Sequence, residues 1–351
     1  MIHICIICDC LVYCLDFLKG YLYIPNKYIF KMNVVCATDD NFVQHCCIML
    51  VSLLVNNKDV EIYVLTEGLN SVNKRIITEE INRYNGRVHF CLVDPHVVEK
   101  FPMPSFKGLS HISRATYYRL LITDLLPVSV HKAIYLDCDM IINHSIEELW
   151  KINLDGYALA ASLQIGYGYE ALRLGYPIEY GYFNAGMNVI NLDYCRENNV
   201  SQLLVDYIKD NFDKIKFHDQ DALNGVLHDK TLHVMPQWNM TSVVYSYQLN
   251  RKGDRILGKL VNDYENEKKN AIEHLKNPII LHYVSKPKPW QKGCIHPLYH
   301  LYYDYAKKTK YFCEISSESY AKRFPQIAKA YIVDRLSAIK QFFVRKDKTR
   351  Y

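Results

Sequence analysis

The chain has 351 residues, of which 50% are hydrophobic and 23% are charged, and its formal net charge is +5. These values place it among ordinary globular proteins built from one large domain with appendages. So mild a charge argues against nucleic acid as a partner.

The N-terminal stretch and the cysteines both bear on the compartment. Residues 1–31 are interrupted by Asp9 and Asp16, are too short and polar to span a membrane, and lack a signal-peptide pattern. We interpret them as an N-terminal extension translated ahead of a start at Met32. Most of the twelve cysteines lie in apolar runs rather than in a disulfide framework, so we expect a reducing, cytoplasmic compartment.

Strands and helices alternate from Asn33 onward. The pattern predicts strands at 33–38, 61–65 and 87–93, separated by helices at 42–56 and 71–84. This alternation predicts a parallel sheet with right-handed crossovers, which binds ligands beyond the carboxyl ends of its strands. The polar turn Asp39-Asp40-Asn41 stands at such an end.

The following section continues the same alternation. Its predicted elements are a helix at 113–124, strands at 133–136 and 182–192, helices at 200–211 and 219–227, and a last core strand at 279–282. No repeat or low-complexity linker interrupts it. We therefore expect a catalytic domain at 32–290 and a separate C-terminal region at 291–351.

Two carboxylates follow the strand at 133–136. Residues two apart in an extended segment point to the same side, so Asp137 and Asp139 can face one cation. Oxygen ligands suit Mn²⁺ or Mg²⁺, and such an ion neutralises a departing diphosphate. A bare D-x-D also occurs in turns and helix caps, so the motif alone leaves the chemistry open.

His282 ends the last predicted strand and precedes a basic loop at 283–290. A neutral imidazole is a common ligand of Mn²⁺-type ions, and Lys288 is a compact cation suited to phosphate oxygens. Prolines stiffen the loop, as expected for a lid that positions a lysine. The alternative interpretation is a core histidine covered by a basic loop.

Seven short motifs follow one another along the chain. They are ATDDNF at 37–42, HISRATYYRL at 111–120, YLDCD at 135–139, FNAG at 183–186, DQD at 219–221, PQWN at 236–239 and HYVSKPKPW at 282–290. Each motif is weak alone, but together and in this order they resemble glycosyltransferase family 8. The resemblance covers residues 33 to 290.

The resemblance implies an α/β fold of the GT-A type, which is a Rossmann-like nucleotide-sugar-binding domain with a mixed, mostly parallel central sheet. A helical C-terminal tail would follow it. The resemblance also implies a UDP-sugar donor, a glycan or glycolipid acceptor, and retention of anomeric configuration. Carried over by position, it implies metal ligands at Asp137, Asp139 and His282, and nucleotide or sugar contacts from Ala37, Asp39, Asn41, Phe42, Arg119, Asn184, Ala185, Ser285 and Lys288.

The catalytic step is interpreted from Gln220, Asp219 and Lys288. Gln220 matches the family position nearest the reacting carbon, but an amide is a poor nucleophile, so we expect front-face displacement rather than a covalent intermediate. Lys288 would stabilise departing UDP, and Asp219 would fix a sugar hydroxyl. Ser285 stands where the family usually has glycine, and Gln164 stands near an acidic position of galactosyltransferases, which puts a galactose donor in doubt.

The C-terminal region is basic. Apolar residues recur at helical spacing between Ile332 and Phe343. Residues 322–350 include nine lysines and arginines but only two acidic residues, Asp334 and Asp347. This pattern predicts a basic amphipathic helix that lies on an anionic membrane surface, on the inner face of the membrane. A helix packed on the catalytic domain is the alternative, and both stay open.

The sequence favours a hexosyltransferase of lipopolysaccharide or other surface-polysaccharide synthesis, using galactose or glucose. One rival is a Mg²⁺-dependent phosphohydrolase, which needs small and hydroxyl residues after the second aspartate, whereas Met140-Ile141-Ile142 follows here. The other rival is a non-catalytic sugar-nucleotide-binding protein, which the sequence does not exclude.

Overall fold

A computed structural model of the chain describes residues 31–99, 101, 114–249, 264–294 and 296–312. The N-terminal extension before residue 31 and the predicted basic helix beyond residue 312 therefore lie outside the described residues. So does the start of the HISRATYYRL motif. None of the helices in the described ranges has the length and hydropathy of a membrane-crossing segment.

Ten strands and twelve α-helices make up the described part. The strands are β1 Met32–Ala37, β2 Val60–Thr66, β3 Arg87–Leu92, β4 Lys132–Leu136, β5 Met140–Ile142, β6 Leu159–Leu163, β7 Phe183–Asn191, β8 Thr231–Val234, β9 Met240–Thr241 and β10 Ile280–His282. The helices are α1 Val43–Asn56, α2 Ser71–Arg83, α3 Pro95–Val98, α4 Ile122–Leu125, α5 Glu147–Trp150, α6 Glu170–Leu174, α7 Leu192–Glu197, α8 Val200–Asp210, α9 His218–Leu227, α10 Ser242–Leu249, α11 Tyr264–His274 and α12 Tyr299–Ala306.

The central sheet has seven strands in the order β3-β2-β1-β4-β7-β6-β8. Neighbours pair in parallel on either side of β7, which alone is antiparallel to its partners β4 and β6. The prediction of a mixed, mostly parallel α/β sheet is therefore confirmed. Because β4 and β7 run in opposite directions, the end of β4 meets the start of β7 at one edge of the sheet.

Helices cover both faces of this sheet. Along β1, Val34 and Cys36 face the cluster that contains α1, while Val35 faces the cluster that contains α8. β2 is buried at all seven positions, as expected for an inner parallel strand. The sheet is therefore rigid enough to fix the polar turns at its edge.

A second sheet has three strands in the order β5-β10-β9. Its strand β5 follows β4 in the chain after the Asp137-Cys138-Asp139 turn. β10 pairs antiparallel with β5, so that His282 is opposite Met140, and parallel with β9. The strand predicted at 279–282 is thus present, but it does not join the central sheet.

The segment predicted as a helix at 113–124 is a 3₁₀ helix at Arg114–Leu121 followed by the short α4. In 3₁₀ geometry, side chains three apart are aligned. Thr116 and Arg119 are so spaced, and both bind Asp219. The tighter helix is therefore consistent with two side chains that serve one carboxylate.

Candidate active site

Asp137, Asp139 and His282 meet where the two sheets adjoin. Their ligand atoms all lie within 4.8 Å of one another. His282 Nε2 lies 3.0 Å from Asp139 Oδ1 and 3.7 Å from Asp137 Oδ2. Two carboxylates and one imidazole form a donor set that fits a divalent ion such as Mn²⁺ or Mg²⁺. The three residues could therefore hold the metal that the sequence predicts.

Gly186 on β7 leaves the space in which this cluster forms. The Asp137 backbone N–H donates to Gly186 O at 2.9 Å, which places the two backbones side by side. A Cβ atom on Gly186 would lie 2.2 Å from His282 Cε1 and 2.7 Å from Asp137 Oδ2. Glycine is required here because any side chain would displace a candidate metal ligand.

Lys288 lies against the same cluster. Its Nζ donates to Asp139 Oδ2 at 2.6 Å and also to the backbone oxygen of Tyr283. Burial opposes ionisation of Asp139, but Lys288 and His282 outweigh it and hold the pKa of Asp139 well below its usual value. Asp139 is therefore an anion over the physiological pH range, as a metal ligand must be.

Arg119 connects this cluster to Asp219. Its NH2 group lies 2.7 Å from Asp137 Oδ1, its Nε lies 2.8 Å from Asp219 Oδ2, and NH1 donates to Ala185 O at 2.6 Å. Burial opposes the charge, but Asp137 and Asp219 outweigh it and raise the pKa of Arg119. The guanidinium also lies over the Tyr135 ring, 4.4 Å from its centroid, so it is fixed on three sides.

Asp219 is buried among these groups. Burial raises the pKa of Asp219 from 3.8 to about 6, although Arg119 and the Thr116 hydroxyl favour its ionised form. Its Oδ1 accepts from the Thr116 hydroxyl and its Oδ2 pairs with Arg119, and each oxygen keeps a lone pair for a further contact. Asp219 is not the N-cap residue of the following helix, because α9 begins at His218 and Phe217 is its N-cap residue.

Gln220, next along α9, is held by its amide oxygen. Gln220 Oε1 accepts from Asn184 Nδ2 at 3.0 Å and from the Ala185 backbone N–H at 3.0 Å. A carbonyl oxygen has two lone pairs, so both are engaged. These two hydrogen bonds hold the Gln220 side chain in one orientation where it lines the smaller cavity.

Two adjoining cavities are lined by these residues. The larger cavity, of about 640 Å³, is lined by the three candidate metal ligands (here called the metal cluster), by Lys288 and by the turn at 37–42. The smaller cavity, of about 290 Å³, is bordered by α9. Every residue that the sequence predicts for the site lines one of them. The larger holds Ala37, Asp39, Asn41, Phe42, Arg119, Asp137, Asp139, Asn184, His282 and Lys288; the smaller adds Ala185, Ser285, Asp219 and Gln220.

An aromatic cluster supports the larger cavity. His45 stacks on Trp290 with centroids 3.8 Å apart, and Phe42 meets both rings edge-on. Burial lowers the pKa of His45 to about 4, so the ring is neutral at physiological pH and donates to or accepts from the Tyr302 hydroxyl at 2.7 Å. These contacts tie the turn at 37–42 to the loop at 283–290.

A second cluster, of Cys36, Cys46 and Cys138, lies behind the aspartates. Cys36 Sγ and Cys46 Sγ are 3.8 Å apart, and Cys138 Sγ donates to Ala37 O at 3.2 Å. The hydrogen bond with Cys138, together with burial, raises the pKa of Cys36 well above its usual value. We interpret the cluster as apolar packing that supports the turn, because all three cysteines lie in the hydrophobic core and Cys138 donates to the backbone of the turn.

Four residues that the sequence reasoning left without a role belong to the site: Thr116, Tyr135, Gly186 and Asn239. Tyr135 donates its hydroxyl hydrogen to Asp137 Oδ1 at 3.1 Å, and Asn239 contacts His282. All four fall inside the seven motifs. The motifs therefore indicate that these four residues are near the site. The motifs do not indicate which atoms the four side chains contact.

Comparisons with known proteins identify the family of the chain. The family described as "Glycosyl transferase family 8" matches residues 33–294. General stress protein A of Bacillus subtilis (strain 168) is 30% identical over 286 residues, which are 80% of this chain and 94% of the relative. Lipopolysaccharide 1,3-galactosyltransferase of Salmonella typhimurium is 25% identical over 308 residues, 85% of this chain and 82% of the relative.

A solved structure gives the same fold. The galactosyltransferase LgtC, in complex with donor and acceptor sugar analogs, superposes with a TM-score of 0.69 at 23% identity. The similarity covers 80% of this chain and 96% of that chain. With the sheet order and the match over residues 33–294, this similarity identifies the fold as GT-A. The chain therefore belongs to glycosyltransferase family 8.

Proposed function

We propose that the chain is a retaining, metal-dependent hexosyltransferase that moves galactose or glucose from a UDP-sugar to a glycan or glycolipid acceptor. The pathway would be lipopolysaccharide or other surface-polysaccharide synthesis. The observation that carries the proposal is the metal cluster of Asp137, Asp139 and His282 at the border of two cavities, with Lys288 beside it. The names of two relatives, a lipopolysaccharide 1,3-galactosyltransferase and a lipopolysaccharide 1,2-glucosyltransferase of Escherichia coli, support a hexose donor.

The two cavities suit the two halves of such a donor. In the larger one, Phe42 offers an aromatic face to uracil, and Asp39 and Asn41 offer polar groups to the nucleoside. In the smaller one, Asn184 and Asp219 offer polar groups to sugar hydroxyls. The diphosphate would then lie between them, against Lys288 and the metal cluster.

The described residues favour front-face displacement. Of those lining the smaller cavity, the carboxylates are Asp137 and Asp219, and both are paired with Arg119. The Gln220 amide oxygen accepts two hydrogen bonds, so it is not poised to attack the anomeric carbon. The acceptor hydroxyl would form its bond on the face from which the phosphate leaves, and its proton would pass to a phosphate oxygen.

The charges near Lys288 match this step. A bound Mn²⁺ or Mg²⁺ would neutralise negative charge on the departing diphosphate. The Lys288 ammonium adds a second positive charge at the same place, and Arg119 holds Asp137 in position. These residues stabilise a leaving group and need no protein nucleophile.

The test is UDP release from a panel of UDP-sugars with Mn²⁺, compared between the wild type and Asp139→Ala. We expect turnover of UDP-glucose or UDP-galactose that needs the metal and disappears in the variant, with retained configuration in the product. Turnover that persists in Asp139→Ala contradicts the metal assignment.

The same panel decides between the alternatives. Binding of a UDP-sugar without release of UDP supports a non-catalytic sugar-nucleotide-binding protein. Hydrolysis of simple phosphate monoesters supports the phosphohydrolase. The apolar residues of β5, which directly follow Asp139, argue against the phosphohydrolase.

We further propose a catalytic domain at 32–290 and, in the C-terminal region, a basic helix that binds an anionic membrane surface on the cytoplasmic side. Helix α12 packs against α1 through the buried Tyr302, so the membrane contact would come from residues after α12. Truncation after residue 312 should reduce binding to anionic liposomes more than activity on a soluble acceptor. Equal liposome binding by both forms supports the packed-helix alternative.

A further inference from the structure

Three carboxamides, of which Asn239 and Asn184 are buried, connect the candidate metal ligand His282 to the smaller cavity. Asn239 Oδ1 lies 3.0 Å from His282 Nδ1, and Asn239 Nδ2 donates to Asn184 Oδ1 at 2.8 Å. Asn184 Nδ2 then donates to Gln220 Oε1 at 3.0 Å. Asn239 is 3% exposed and His282 is 3% exposed, so water does not compete for the hydrogen bond between these two residues.

Two backbone amides fix the direction of this chain of hydrogen bonds. The Gly186 N–H donates to Asn184 Oδ1 at 3.0 Å, and the Ala185 N–H donates to Gln220 Oε1 at 3.0 Å. A backbone N–H can only donate, so the side-chain atoms that face them must be oxygens. The orientation of the Asn184 and Gln220 amides is therefore determined, although distances alone do not separate amide oxygen from nitrogen.

The orientation of Asn239 follows from that of Asn184. Asn184 Oδ1 accepts, so the atom of Asn239 that meets it must be the amide nitrogen. The amide oxygen of Asn239 then faces His282 Nδ1, and because an amide oxygen only accepts, Nδ1 must carry the hydrogen. Nε2, which faces Asp137 and Asp139, is then the ring nitrogen whose lone pair a bound cation would take, and Nδ1–H is the tautomer that such a ligand needs.

We propose that Asn239 is a positioning residue that holds His282 in the Nδ1–H tautomer for cation binding and connects it, through Asn184, to Gln220 in the sugar cavity. The backbone supports this role. Asn239 follows the 3₁₀ turn Pro236–Trp238 and directly precedes β9, whose Thr241 is registered with His282 on β10. Only the readout of sugar transfer rests on the proposed function.

Two substitutions of Asn239 separate the two halves of this role. Asn239→Ala removes the acceptor of His282 Nδ1, and we expect Mn²⁺ affinity to fall by about 10- to 100-fold, the usual effect of losing such a partner. Asn239→Asp keeps an acceptor for Nδ1 but has no hydrogen to donate to Asn184. It should retain Mn²⁺ affinity and lose sugar transfer.

Asn270→Ala is the matched control. Asn270 exchanges two hydrogen bonds with Gln237 in the same turn, at 3.1 Å and 3.0 Å, and neither bond reaches His282. Free Mn²⁺ would be measured by its electron paramagnetic resonance signal in titrations of each full-length protein, and thermal unfolding would identify any variant that does not fold. The control should bind Mn²⁺ like the wild type.

Two results overturn the inference. One is wild-type Mn²⁺ affinity in Asn239→Ala, and the other is an equal loss in Asn270→Ala, which would mark a general loosening of the turn. Nitrogen NMR of the protein loaded with diamagnetic Mg²⁺ or Cd²⁺ gives a second measurement: we expect hydrogen on Nδ1 of His282, and hydrogen on Nε2 contradicts the proposal. If the wild type binds Mn²⁺ but releases no UDP from any UDP-sugar, the proposed function fails while the affinity comparison still decides the role of Asn239.

Discussion

Asp137 and Asp219 share one guanidinium, that of Arg119, at 2.7 Å and 2.8 Å. Asp137 is one of the three candidate metal ligands, and Asp219 lines the smaller cavity. The side chain of Arg119 is 9% exposed, so the charge lies between two carboxylates with little help from water. The candidate metal ligands and the smaller cavity are therefore parts of one electrostatic unit.

Arg119→Lys tests this unit. A lysine carries one compact charge and cannot bind both carboxylates in the planar geometry of a guanidinium. We expect kcat/KM for the UDP-sugar to fall by about tenfold or more, since one carboxylate loses its partner. Steady-state kinetics measures this, and Arg83→Lys on the exposed face of α2 is the control. Unchanged kcat/KM in Arg119→Lys would show that shared pairing is dispensable.

Asp219 should give the pH profile of kcat/KM an acidic limb, that is, a fall in activity at low pH. Its pKa is raised to about 6 by burial, so the carboxylate that pairs with Arg119 forms as pH rises through 6. We expect kcat/KM to fall as pH drops below about 6 in the wild type, and this limb to disappear in Asp219→Asn, which has lower activity at all pH values. A limb at the same pH in the variant would assign it to another group.

The same shift predicts a change in stability. Since the folded-state pKa of Asp219 is above the ordinary 3.8, its stabilising contribution is fully present below 3.8 and is lost as pH rises through about 6. Relative to Asp219→Asn, the wild type should lose about 3 kcal/mol of unfolding free energy over this window. Urea denaturation at pH 4 and pH 7 measures it, and a constant difference between the two proteins contradicts it.

Gly186→Ala should weaken metal binding. The added Cβ would overlap His282 Cε1 and Asp137 Oδ2, so one of these candidate ligands must move. We expect Mn²⁺ affinity to fall by about tenfold or more. Gly225→Ala is a matched control, because its Cβ would meet Tyr207 Cζ at 2.1 Å, which is not part of the cluster. Equal Mn²⁺ affinity in the two variants would refute the prediction.

Lys288→Gln should separate catalysis from metal binding. The substitution removes a positive charge from beside Asp139, so Mn²⁺ affinity should not decrease, while stabilisation of the leaving diphosphate is lost. We expect kcat to fall by about 100-fold, the typical effect of losing one group that stabilises developing negative charge. A parallel loss of Mn²⁺ affinity would instead mean that Lys288 maintains the shape of the cluster.

The central sheet could be predicted from the sequence because the hydrophobic periods of β1, β2, β3 and β4 are clear and alternate with helices. β6 and β8 were not predicted, because short apolar runs do not distinguish strands from buried helix. The tight 3₁₀ helix at Arg114–Leu121 was also missed. Two of its side chains bind Asp219, which lies 103 residues from Thr116. The helical propensity of the local sequence carries no information about so distant a contact.

Most of the site was accessible because its residues occur in motifs of ordered spacing. Asp137, Asp139 and His282 were predicted to share a cation, and the structure does bring their ligand atoms together. What each side chain binds was not accessible. Asn239 is one of three side-chain amides in the PQWN and FNAG motifs, with Gln237 and Asn184, and only the folded structure shows that it is the one that contacts His282.

The position of β10 has a consequence for synthesis of the enzyme. Lys288 and Asp139 are 149 residues apart, and His282 is supplied by a strand that follows all seven strands of the central sheet. All seven strands of that sheet therefore emerge from the ribosome before His282 and Lys288 are available. Under the proposed function, such a nascent chain lacks one metal ligand and the lysine beside the leaving group, so sugar transfer would begin only after β10 has docked.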